Sequence, residues 1–65
     1  MNKPNMRLIN VHPELQQMYN IGSQVDVCAD SSVNGGHFTF MNKAGKEISA
    51  DAVEFCGYDQ KYIDL

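Results

Sequence analysis

Sixty-five residues with eight acidic and five basic side chains, a net charge of −3, allow one small domain spanning 1–65 and exclude a second. A chain this short buries only about 60% of the surface its unfolded form exposes, and its core rarely supplies more than about 3–5 kcal/mol without a disulfide, a metal or oligomerisation. With no tryptophan it lacks the large side chains that wall a deep cleft, so an enzyme is not expected, and its acidic sign is the wrong one for a phosphate-neutralising basic stripe.

Residues 1–6 are mostly polar, contain Pro4, and are expected to be loose. No signal-like apolar run opens the chain and no segment approaches a membrane span, so a reduced cytoplasmic setting is expected. Leu8, Ile9 and Val11 form a short apolar run, either a first strand or an extended lead-in. Pro13 suits the first position of a helix, where its missing N–H has no partner to lose, and Glu14 complements the positive end of the helix dipole. Leu15, Met18 and Tyr19 follow at helical spacing as one apolar stripe, and Asn20 and Gly22 signal the stop. So short a helix must dock on something else to persist.

Three segments of period-2 alternation come next, the signature of strands with one buried face. In Gln24–Ala29, Val25, Val27 and Ala29 share a face; in His37–Asn42, Phe38 and Phe40 do. The polar residues 30–36 between them include Asn34-Gly35-Gly36, a turn signal. Two registers keep the valines and phenylalanines together: Val27 opposite Phe40 with Asp30 opposite His37, or Val27 opposite Phe38 with Cys28 opposite His37. The following hairpin is better determined. Pairing Asn42 with Lys46 leaves Lys43-Ala44-Gly45 as a three-residue loop, with Gly45 at the position that requires positive φ. Phe40 then opposes Ile48 and Phe38 opposes Ala50. After Ala52 the alternation changes phase towards Val53 and Phe55, which predicts a bulge or one helical turn. The expected core is therefore Val25, Val27, Phe38, Phe40, Ile48, Val53 and Phe55, with Leu15 and Met18 of the helix above it. The expected fold is mainly β, bordering on α+β. It is a small antiparallel sheet, or an SH3-like or Sm-like barrel, of about five short strands with one short N-terminal helix.

Charge is unevenly spread. Residues 1–46 hold three acids against four bases, whereas residues 47–65 hold Glu47, Asp51, Glu54, Asp59 and Asp64 against Lys61 alone. That acidic third also carries Tyr58, Tyr62, Ile63 and Leu65, more large apolar groups than a disordered tail keeps, so residues 57–65 should pack on the sheet or meet a partner. The face opposite the core, with Cys28, Thr39 and Met41 beside Asp26, Glu47 and His37, is too weakly charged for an ordinary solvent face. It predicts a cover, either the helix, the tail or another protein.

Other chemistry is thinly supported. Cys28, Cys56, His12 and His37 have zinc-ligand composition but stand singly rather than in close pairs, so no metal and no cofactor is expected. Two cysteines without a secretory signal read as free thiols, and Cys28 with His37 lacks the orienting group and oxyanion donors of a nucleophilic site. The expectation is a non-enzymatic protein-binding module, an accessory regulator or inhibitor of mobile-element or phage type. Its partner would be a protein with a basic, nucleic-acid-handling surface, neither nucleic acid itself nor a membrane. The contact residues would be Asp51, Glu54, Tyr58, Asp59, Tyr62 and Asp64. The alternative is a small-barrel nucleic-acid binder that stacks bases on Tyr19, Phe38, Tyr58 or Tyr62.

Overall fold

The computed structural model describes residues 3–31 and 36–65. It contains strands β1 (Met6–Ile9), β2 (Val25–Asp30), β3 (His37–Met41), β4 (Glu47–Asp51) and β5 (Lys61–Asp64). Helix α1 (Pro13–Tyr19) lies between β1 and β2, and a 3-10 turn (Ala52–Phe55) joins β4 to β5. The strands form one antiparallel sheet in the order β4-β3-β2-β1-β5, with β4 and β5 as its two edges. The mainly β class and the short helix agree with the sequence. The Asn34-Gly35-Gly36 turn falls largely outside the described residues.

Of the two registers open to the first hairpin, the structure takes the one with Asp30 opposite His37, so Ala29 meets Phe38 and Cys28 meets Thr39. In the second hairpin Phe40 faces Ile48 and Phe38 faces Ala50, and Gly45 has φ of 79°. The Asn42 amide donates to the Lys46 carbonyl at 2.9 Å, and the Asn42 side-chain oxygen accepts from the amides of Ala44 and Lys46. This side-chain clamp across the loop fixes the turn from within.

The helix follows the sequence signals, with one unexpected cap. His12 is the N-cap, its Nδ1 accepting the Glu14 amide at 3.0 Å, and Asn20 closes the helix in the left-handed conformation that ends many helices. Leu15 is fully buried and Tyr19 packs edge-on against Phe40 and stacked on Phe55. Met18, expected over the core, is instead 57% exposed, because in a helix this short the stripe is only as wide as Leu15 and Tyr19.

The phase change after β4 is the 3-10 turn. With three residues per turn, Ala52 and Phe55 fall on the same side; Phe55 is buried and Ala52 packs against the core. That geometry throws Val53 outward, 68% exposed, and corrects its assignment to the core. Among the described residues the core is Leu8, Val11, Leu15, Ile21, Val27, Phe38, Phe40, Ala50 and Phe55, with Val25 and Ile48 partly buried at its margin. Leu8 and Val11 would lie on opposite faces of an unbroken strand. Asn10, at φ of 58°, turns the chain between them so that both point inward.

Asn5 and Met6, read as part of a loose start, are held in the sheet. Met6 opens β1, and Asn5 exchanges side-chain bonds with the backbone of Ala29 at 2.8 and 3.1 Å. Residues 61–64 become β5, paired along the whole of β1.

Candidate functional site

Two faces of the sheet divide the charged residues. Register places Arg7, Asp26, Cys28, Thr39, Met41, Glu47 and Ile63 on the face opposite the core. The helix packs on the core side and the tail forms an edge strand, so neither of the covers expected within the chain lies over this outer face. Its centre is the pair formed by the Arg7 guanidinium and both Asp26 oxygens, at 2.6 and 3.3 Å. The hydrogen bond and charge of Arg7 pull the Asp26 carboxyl below its ordinary range, and that of Arg7 rises in return. Both groups are well exposed, so the pair aligns β1 with β2 but adds little stability.

On the other side Glu14 and Glu54 are each bonded to a tyrosine. Tyr19, from the last turn of α1, donates its hydroxyl to Glu54 of the 3-10 turn. Tyr58, just beyond that turn, donates to Glu14 in the first turn of α1 at 3.0 Å, and its ring lies against His12. The helix and the 3-10 turn are thus strapped together by two phenol–carboxylate bonds. Burial, then the bond to Glu54 and the charges of Glu54 and Asp51, push the Tyr19 hydroxyl up to about 12. Tyr58 is raised in the same direction by its bond to Glu14, then by desolvation. A phenol satisfies a carboxylate without adding positive charge, so Glu14 and Glu54 keep their full negative field. Asp51, at the end of β4 and paired on the outer face with His37 Nε2 at 2.9 Å, adds its charge at Tyr19 from the rim of the sheet.

The structure thus brings Asp51, Glu54 and Tyr58 of the sequence-predicted site together, with exposed Asp59 next in the chain. Tyr62 and Asp64 belong to β5. The Tyr62 ring lies 6.2 Å from that of Phe38, and its hydroxyl accepts from the Gln60 side chain at 2.6 Å. Glu14 and Tyr19 are members of the acidic group that sequence reasoning missed. Their signal was the helical spacing that puts them at opposite ends of α1, but nothing in the sequence sets the helix against the 3-10 turn.

Of the four stacking groups, Tyr62 is exposed and Tyr19 and Tyr58 are half-buried. Phe38 is buried, and Tyr19 and Tyr58 hold carboxylates that would repel phosphate. Cys28 donates its thiol to the Lys3 carbonyl at 3.3 Å, and Cys56 follows the 3-10 turn. Among the described residues no group of three or more His, Cys, Asp or Glu side chains is placed to hold a metal ion, and no helix is long and apolar enough to cross a membrane. No family model, no curated protein and no solved structure matches the chain.

Proposed function

We propose that this protein is a small non-enzymatic binding module, an accessory regulator or inhibitor of mobile-element or phage type. It engages a basic, nucleic-acid-handling protein through the surface shared by α1 and the 3-10 turn. The supporting observation is the group of Glu14, Asp51 and Glu54, whose hydrogen-bond partners Tyr19 and Tyr58 leave the charge of Glu14 and Glu54 unneutralised. Met18 and Val53, exposed and each one residue from the Tyr19–Glu54 bond, supply apolar contact inside a charged rim, the composition of many protein interfaces.

The architecture that carries this surface is, on our reading, a small SH3-like barrel left open between β4 and β5. The strand order, the 3-10 turn before the last strand, and the contact of Tyr62 on β5 with Phe38 on β3 all favour such a curl.

Affinity capture from the native host, run in parallel with the wild-type chain and with a Glu54→Lys, Asp59→Lys variant, tests the function. The wild type should retain a basic protein that the folded variant retains less. Association measured with that protein should be slower for the variant and less dependent on salt. Equal capture by both chains would remove the acidic surface from the mechanism.

A further inference from the structure

The two edges of the sheet are not alike. Leu65 donates its amide to the Asn5 carbonyl at 3.1 Å in the register of the β1–β5 ladder, so odd residues of β5 bond inward to β1. Alternation then turns the N–H and C=O groups of Tyr62 and Asp64 outward, away from the sheet. On β4 the bond from Asn42 to Lys46 sets the opposite phase and leaves Glu47, Ser49 and Asp51 facing out. All of β5 is exposed, it carries neither proline nor bulge, and Tyr62, Ile63 and Leu65 are among the most exposed large apolar side chains.

We propose that β5 pairs antiparallel with β5 of a second copy of this chain, about a two-fold axis at Ile63. A two-fold axis that joins adjacent antiparallel strands runs perpendicular to the sheet and keeps each face on its own side, so residues of like parity must meet. Centring it on Asp64 would oppose two carboxylates. Centring it on Tyr62 would set Asp64 against Gln60, a buried residue that precedes the strand. The axis at Ile63 opposes no like charges. It places Tyr62 opposite Asp64 as the hydrogen-bonded pair, Ile63 against Ile63, and Leu65 opposite Lys61. The same operation on β4, about its middle residue Ser49, would set Glu47 against Asp51 twice, so pairing along the full length of that edge is disfavoured. Antiparallel joining of β4 to β5 would put the core side of one copy level with the outer side of the next, because the outward groups of the two edges belong to residues on opposite faces, and parallel joining, which keeps the faces level, is the weaker pairing. The β5–β5 pair is closed by its two-fold axis, and it does not use Glu14, Asp51 or Glu54.

Four strand residues make a small interface, so the dimer should be weak. Sedimentation of the full chain from about 10 µM to about 1 mM should show the mass rising from 7.3 kDa towards twice that value. Over the same range, amide exchange at Tyr62 and Asp64 should slow while that at Glu47 and Ser49 stays constant. Ile63→Lys, on an exposed outward position, sets two ammonium groups face to face and should weaken association at least about tenfold with an unchanged circular dichroism spectrum. A single 7.3 kDa species throughout, or association that leaves the Tyr62 and Asp64 amides unprotected, would overturn the proposal. Because the exchange pattern is read on the wild-type chain, it decides the question even if the variant unfolds.

Discussion

Phe40 and Gly45 carry opposite kinds of obligation in the second hairpin. Phe40 is fully buried, with Tyr19 on its edge and Ile48 across the ladder. Truncating it to alanine should cost about 3–5 kcal/mol, as much as a domain of this size holds, so Phe40→Ala should show no cooperative urea transition. Gly45 touches nothing that a Cβ would meet, and its requirement is φ alone, at 79°. Gly45→Val should therefore lower stability by at least about 1 kcal/mol while the amide spectrum of the core stays native. Tyr19 gives a pH dependence. Its hydroxyl is raised from 10.0 to about 12, so the folded state favours the protonated form. That contribution is fully present below pH 10 and is lost as the pH climbs towards 12. The urea midpoint should fall between about pH 10 and about pH 12, and Tyr19→Phe should shrink the fall, with Tyr58 accounting for part of the remainder.

At the scale of elements, the β3–β4 hairpin was legible because its pattern and its turn agree: only one register seats two phenylalanines inward and a glycine at the left-handed position. The 3-10 turn was legible as a change of phase but not in its facing. A period of three and a period of two both bury Phe55 and differ over Val53, and three-dimensional packing chose the former. β1 was half legible. Its inward residues Leu8 and Val11 break the two-residue repeat through the left-handed Asn10, which no local rule demands. The last strand was the hardest to see, since it is exposed on both faces and has no buried alternation to betray it. It nonetheless completes β1, so deleting residues 57–65 should abolish cooperative unfolding as followed by circular dichroism, rather than merely trimming a tail.

Across the whole molecule, the acidic excess of residues 47–65 is legible as a number but not as a place. Folding sends Asp64 to a sheet edge, gathers Asp51 and Glu54 around Tyr19, and recruits Glu14 from a distant segment. The tyrosines in that group serve as straps between helix and turn, which their sequence neighbours do not disclose. The outer face of the sheet, flagged by its low charge, carries the Arg7–Asp26 pair at its centre and the His37–Asp51 pair towards its edge, and neither α1 nor β5 covers it.

The position of β1 between β2 and β5 also sets the order of events in time. The β3–β4 hairpin closes over three residues, whereas Leu8 can meet Tyr62 only after nearly the entire chain has been brought round. Loop closure of that length is the slower and entropically costlier step, so the last strand should dock after the barrier is crossed. Stopped-flow measurements should then find that Ile48→Ala slows refolding, while Tyr62→Ala leaves refolding nearly unchanged and speeds unfolding. A chain built this way loses its last strand first, and it is most exposed to misassociation in the interval before β5 returns to β1.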